Sequence, residues 1–311
     1  MKHIVLMGGG SWISHLMPAF SAEPDWKVSA IIATGDSGGS TGVIRESYSL
    51  PALGDIVKNL AALGGDETQW MTYRYDKGFL AGHTPGNLWL LGLIQIYGFS
   101  EWVKKAHEIL WHNLHRIIPV AYSPHDIKVT TKNGEIILWE GPIIQYHHLS
   151  HNIAQIELTP SVEASPEAIE AIKWADCIII WPGTLYTSLI ACLLPRGIRE
   201  AIHTSKAKKC YIANAANFPP WHCERYALSD YLVEIKRFTG IEEFDGILGH
   251  DGSGIPKTQR IEILWDEKNI QRENILTTPT ENTGGIYDSI KRNTLRHDGK
   301  KVVQWIKKFF D

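Results

Sequence analysis

The sequence predicts an α/β fold in which a doubly wound, mainly parallel sheet carries a helical insertion and a β-hairpin. Three observations predict it. The chain opens as strand, glycine turn, helix and second strand, "KHIVLMGGGSWISHLMPAF" followed by "KVSAIIAT", which is the start of a βαβ unit. Its second half alternates short apolar runs such as "DCIIIW" and "KKCYIANA" with amphipathic stretches, the pattern of a parallel sheet covered on both faces. Its 311 residues, 44% of them hydrophobic, are enough to bury a large core.

The elements follow in order. From about 51 to 117 no strand pattern occurs, and the segment reads as a helical insertion. It ends in "SEWVKKAHEILWHNLHRI", where Ser100 is placed to cap and apolar residues recur every three to four. "IKVTTKNGEIILWEG" alternates around Asn133-Gly134, a pair that favours a two-residue hairpin turn. The strand and helix rhythm then resumes with strand "IAQIEL", helix "SPEAIEAIKWA", strand "DCIIIW", a helix near "LIACLLPRGIREAIHTS", strand "KKCYIANA", helix "ALSDYLVEIKRF" and strand "FDGILGH". "DGKKVVQWIKKFF" reads as a closing helix packed on the core, so residues 1–311 read as a single domain.

Composition removes several function classes. With 31 basic and 34 acidic residues, a net charge of -3 and no basic block, nucleic acid is excluded as a partner. Cys177, Cys192, Cys210 and Cys223 never fall at CxxC spacing and read as reduced core thiols, which points to the cytoplasm. The apolar run of "MKHIVLMGGG" is too short for a signal peptide. "LWLLGLIQIY" is about half the length that crosses a bilayer, so no membrane span is expected. Its apolar face is a candidate homodimer surface.

The polar residues that interrupt this apolar pattern are the candidate site. Gly8, Gly9, Gly10 and Ser11 stand where the first strand turns into its helix, and the alternatives there are phosphate binding and a tight packing turn. The dinucleotide fingerprint is absent, because Ile13 stands where its third glycine belongs. "ATGDSGGSTG" ends the second strand, and its Asp36 is placed to meet a ribose, to ligate Mg²⁺ or to cap its own turn. Asp55 and Asn59 are four apart in "LPALGDIVKNL", with Asp55 alternatively an N-cap, and His83, Thr84 and Asn87 cluster in "GHTPGNLWLL". "WPGTLYTSLI" places Gly183, Thr184, Thr187 and Ser188 after a buried strand, on the sheet edge where such folds bind ligands, and "YIANAANFPPW" repeats the geometry with Asn214 and Asn217. His147, His148 and His151 have metal-ligand spacing only on a helix, and a solvated loop accounts for them. Trp12, beside the glycine turn, is placed either to stack on a base or to join the core.

Taken in order, "MGGGSWIS", "ATGDSGGSTGVIRE", "LPALGDIVKNLAAL", "GHTPGNLWLLGL", "WPGTLYTSLIACLL" and "YIANAAN", with a late "RHDGKKVVQWI", resemble the CofD-like family from Met7 to about Asp298. That family joins a phospholactate transferase to gluconeogenesis-factor (YvcK-type) proteins that bind UDP-sugars, and the blocks look closer to the second branch. The resemblance implies a Rossmann-like core with a helical insertion. It implies one cleft lined by the Gly8 to Ser11 turn, Asp36 with Gly38, Gly39 and Ser40, Asp55, His83, Asn87, the Gly183 to Ser188 loop and Asn214. Two departures stand out. Ser37 replaces a second acid that usually follows the one matched by Asp36, and "AANFPPWHC" replaces a polar run after Asn214.

Two function classes follow, with a ligand-free scaffold as a third. The first is a binding module for a nucleotide-sugar or nucleoside diphosphate. The second is a transferase in which Mg²⁺ held by Asp36 and Asp55 neutralises phosphate and Asp36 or His83 acts as base.

Overall fold

The computed structural model describes residues 1–36, 38–99, 101–110, 114–146, 149, 152–214, 226–250, 270–273 and 297–310. Ten strands occur among them: β1 (Lys2–Gly8), β2 (Trp26–Ile32), β3 (Arg116–Pro119), β4 (Asp126–Thr131), β5 (Ile136–Leu138), β6 (Ile153–Thr159), β7 (Cys177–Ile180), β8 (Lys208–Ile212), β9 (Gly246–His250) and β10 (Ile270–Glu273). The helices are α1 (Gly10–Ser21), α2 (Gly39–Tyr48), α3 (Gly54–Gly64), α4 (Pro85–Tyr97), α5 (Trp102–Ile109), α6 (Glu140–Gln145), α7 (Pro166–Lys173), α8 (Ala191–Leu193), α9 (Ile198–Thr204), α10 (Leu228–Thr239) and α11 (Gly299–Lys307). A 3₁₀ segment, Gly65–Thr72, continues α3, and a π-helical turn, Leu185–Ile190, leads into α8.

Seven strands form one parallel sheet in the order β10-β9-β8-β7-β1-β2-β3. Successive side chains on a strand point to opposite faces, so a strand buried on both sides must be apolar throughout. β1 meets that requirement: Ile4 and Leu6 pack with α1, α3 and α11, while Val5 and Met7 pack on the other face with α7, α9 and α10. The chain moves outward from β1 through β2 to β3, then returns beside β1 as β7 and proceeds the other way. The order therefore reverses between β1 and β7, and the loops that leave their carboxyl ends diverge around a crevice.

A second sheet, β5-β4-β6, is antiparallel and lies over the α7, α9 and α10 face. Here the structure departs from the sequence reading, because "IAQIEL" pairs with β4 instead of continuing the parallel sheet. Only part of β6 is buried, with Ala154 and Gln155 exposed, and such half-covered strands suit an antiparallel sheet with one wet face. The hairpin has a three-residue turn, not a two-residue one: Thr131 N–H donates to Glu135 O at 2.9 Å, and Gly134 adopts φ +82°. Three further local differences follow from the letters. "RIIP" is strand β3 although it continues a helical pattern, since four residues are too few to display a period. The stretch after Leu185 is interrupted, because Pro195 has no N–H to continue a helix and Gly197 turns the chain at φ +94°. Ser100, read as a cap for α5, lies outside the described residues.

α11 closes the fold as expected. The Asp298 carboxylate accepts from the N–H groups of Lys300 (2.9 Å) and Lys301 (3.2 Å), and Trp305 is fully buried. Cys177, Cys192 and Cys210 are buried free thiols, and Cys223 lies outside the described residues. Among the described residues no helix is long and apolar enough to cross a membrane.

Candidate functional site

The crevice between β1 and β7 is occupied by the protein's own groups. The Asp55 carboxylate, from the first turn of α3, reaches the start of α1 and accepts from Gly10 N–H at 3.0 Å and Ser11 Oγ at 3.3 Å. Asn59, one turn on, donates to Gly10 O at 2.8 Å and to Asp55 O at 2.8 Å. A carboxylate there is stabilised by the positive end of α1, the role a ligand anion would otherwise fill. The glycines are explained by this approach. A Cβ on Gly10 would overlap the Asp55 side chain, and one on Gly9 would come within 2.7 Å of Ser188 Cβ.

The loop after β7 is closed in the same way. Asn214 fixes Gly183 twice, accepting from its N–H at 3.0 Å and donating to its carbonyl at 2.8 Å. The hydroxyl of Thr184 bonds to those of Thr187 (2.6 Å) and Ser188 (2.7 Å). Trp12 lies edge-on to the buried His297, ring centroids 6.0 Å apart, and Trp181 is fully buried. The Gly8 to Ser11 turn, Asp55, Asn59, Gly183, Ser188 and Asn214 thus form one packed block.

A second group surrounds a cavity of about 120 Å³ at the end of β2. Asp36, Gly38, Ser40, Thr41, Lys58, Arg74, Thr84 and Asn87 are among its lining residues. Asp36 Oδ1 accepts from Gly38 N–H at 2.8 Å, the capping turn that its letters allow. Its backbone is tethered by Arg45, which donates to Asp36 O at 3.0 Å, to His125 O at 2.6 Å and to Asp126 Oδ1 at 2.9 Å. Ser40 Oγ lies 2.9 Å from His83 Nδ1 and accepts from Asn87 Nδ2 at 3.0 Å, while Thr84 caps α4 through Asn87 N–H. His83, Ser40 and Asn87 are therefore one hydrogen-bonded chain.

Lys58 joins the two groups. Its ammonium donates to Asp55 Oδ1 at 2.7 Å and to Ser11 Oγ at 2.8 Å, and it also lines the cavity. Burial alone would depress its pKa, but Asp55, with Asp36 and Glu140 beyond, raises it, so the cation is secure. Glu140, at the start of α6, hydrogen-bonds Asp36. Burial, then the Asp36 charge and hydrogen bond, then Asp55, hold its carboxyl well above the ordinary value against the opposing pull of Lys58.

These residues do not fit a Mg²⁺ ion bridging Asp36 and Asp55. The Asp55 oxygens are already engaged by Gly10, Ser11 and Lys58, and the lysine ammonium stands in the cation's place. Among the described residues no three His, Cys, Asp or Glu side chains converge to hold a metal. His147, His148, His151, Ser37, Asn217 and Trp221 lie outside the described residues.

The profile of the family described as "2-phospho-L-lactate transferase CofD" matches residues 4–280. The chain belongs to the CofD family. This CofD-family chain is 32% identical to a gluconeogenesis factor of Halalkalibacterium halodurans, over 98% of its own length and 95% of that relative's. It is also 32% identical to the gluconeogenesis factor of Bacillus subtilis, over 79% and 77% of the two chains. A crystal structure of a UPF0052-family protein from Bacillus halodurans superposes with a TM-score of 0.86 at 28% identity, covering 99% of this chain and all of that one.

Three charged residues of this candidate site are not among the candidates drawn from the motifs quoted above. Lys58 was visible inside "GDIVKNL", where the i,i+3 spacing from Asp55 already sets the two side by side. Arg74 and Glu140 carry no local signal, since each reaches the site only through the path of the chain. Glu140 brings to Asp36 a second carboxyl from a different element, in a chain where Ser37 follows Asp36.

Proposed function

We propose that the protein binds a nucleotide-sugar of the UDP-sugar type, as a regulator in the manner of a gluconeogenesis factor. The observation that carries this reading is the cavity at the end of β2. There two cations, Lys58 and Arg74, stand beside the carboxyl of Asp36 and the uncharged hydrogen-bonding groups of Ser40, Thr84 and Asn87. Phosphates call for the cations, and hydroxyls of ribose or sugar call for the acceptors. Relatives described as gluconeogenesis factors support the same branch of the family. With Lys58 already supplying positive charge, binding has no need of a divalent ion.

The test is calorimetric titration with UDP-N-acetylglucosamine, UDP-glucose and GDP, each with and without Mg²⁺. Saturable UDP-sugar binding that is indifferent to Mg²⁺ is the expected result, and its absence for both UDP-sugars overturns the reading.

A second reading, phospholactate-type transfer, is favoured by the description of the matching family. Asp36 and His83 are its candidate bases, the imidazole being 2.9 Å from Ser40 Oγ. Mg²⁺-dependent turnover with a flavin-like acceptor, abolished by Asp36→Asn, would replace the first reading with this one.

A further inference from the structure

The polar cavity at the end of β2 offers a nucleotide partners for its phosphates and hydroxyls, but among the described residues no aromatic side chain lines it. A nucleobase is a flat ring whose faces are satisfied by stacking on an aromatic surface. Trp12, beside the crevice, is edge-on to His297 and packed against the core. Trp139 is 50% exposed.

The backbone of Trp139 stands at φ +70°, ψ 153°, a region essentially confined to glycine, where a Cβ is strained. Such a conformation persists only where the surroundings impose it, and here they do. Trp139 N–H donates to Ile127 O at 3.0 Å, and Trp139 O accepts from Ile143 N–H at 3.2 Å. A glycine would form both bonds without strain, so what tryptophan adds at this position is its ring. A half-exposed ring contributes only part of the burial that a core tryptophan would. Tyr73, an exposed ring beside Arg74, stands by contrast at φ −55°, which any residue adopts.

The corner that carries Trp139 borders the cavity. The next residue, Glu140, hydrogen-bonds Asp36, which lines the cavity. Ile127, whose carbonyl holds Trp139, has its Cγ1 3.7 Å from where a Cβ of Gly35 would stand, one residue before Asp36. The turn from β5 into α6 is thus tied twice to the end of β2.

We propose that Trp139 is the stacking platform for the ligand's nucleobase, at the rim of the cavity that receives the phosphate and hydroxyl groups. The assignment rests on the nucleotide-sugar reading and deepens it, giving a partner to the one part of the ligand that the cavity lining leaves without one. Because every base has a π-face, stacking on Trp139 supplies affinity with little choice between uracil and guanine.

The full chain and its Trp139→Gly and Trp139→Phe variants are titrated with UDP-N-acetylglucosamine and separately with GDP, in the presence of Mg²⁺, and the melting temperature of each is measured. Trp139→Gly is expected to melt no lower than the wild type, because glycine relieves the strain. It is expected to bind UDP-N-acetylglucosamine about 5- to 100-fold more weakly, the range that one stacked base accounts for. Trp139→Phe, which keeps an aromatic face, is expected to recover part of that loss. Affinity for UDP-N-acetylglucosamine that Trp139→Gly leaves unchanged overturns the platform and leaves the nucleotide-sugar reading standing. A lower melting temperature together with weaker binding makes the ring a packing element and equally overturns the platform. Wild-type binding of GDP alone, weakened in Trp139→Gly, upholds the platform while removing the nucleotide-sugar reading. Binding of neither nucleotide by the wild type overturns both.

Discussion

Glu140 is the residue whose protonation the fold most alters. Burial and the neighbouring Asp36 and Asp55 favour its neutral form, so the folded chain holds a proton that the unfolded chain releases above about pH 4.5. A carboxyl whose folded pKa is raised contributes stability that is present below its unfolded value and is lost as pH rises through the folded value. Glu140→Gln keeps the shape and the hydrogen bond to Asp36 but cannot ionise. Its melting temperature is expected to exceed the wild type's at neutral pH, and the gap is expected to close toward about pH 4.5. Scanning calorimetry across that range decides it, a gap that does not vary with pH being the adverse result. Asp36, Asp55, Ser40 and Asn87 were legible as polar residues breaking an apolar pattern beside glycines. Arg74 and Glu140 were not, because an isolated charge reads the same whether it faces solvent or a cleft.

At the scale of elements, Asp55 is a cap supplied by one helix to another. It lies in the first turn of α3 and bonds the first turn of α1, so it sits near the positive ends of both. Asp55→Ala leaves Gly10 N–H without its acceptor and strands Lys58, and a loss of about 2 kcal/mol is expected in urea unfolding. Asp55→Asn, which keeps an acceptor, is expected to lose less, and equal losses would show that the cap is not what Asp55 contributes. A smaller effect, about 1 kcal/mol, is expected for Asp298→Ala at the start of α11. β1 and β7 were legible in the sequence because both faces are buried and every residue must be apolar. β6 was not assigned to its sheet, since a strand's letters report its exposure and not its neighbour. The partner of Asp55 was equally hidden: its spacing from Asn59 showed a shared helix face, but which helix that face meets is a tertiary fact.

The whole molecule is closed by the late motif around His297. That imidazole is buried, lies 3.0 Å from Ala213 O at the end of β8, and touches the rings of Trp12 and Trp181. Burial, helped by His250 and opposed by the Ala213 hydrogen bond, lowers its pKa to about 4. A base lowered in this way contributes stability that is present above the unfolded value of 6.5 and is lost as pH falls toward 4. The expected loss is roughly 3 kcal/mol, read from urea midpoints at the two ends of that window, and His297→Gln is expected to flatten it. The alternation of strands and helices made the fold class legible, whereas the strand order, and with it the crevice between β1 and β7, depends on returns of the chain that no local pattern encodes. A cavity assembled from separate lengths of chain can change piecemeal over generations. Lys58 and Arg74, the cations that line the cavity, come from the excursion between β2 and β3, and Glu140 comes from α6, which follows the β4-β5 hairpin, on a separate length of chain. Insertions or exchanges around α6 leave the backbone that carries Lys58 and Arg74 untouched, so a lineage can keep these two cations while the carboxyl beside Asp36 is rewritten.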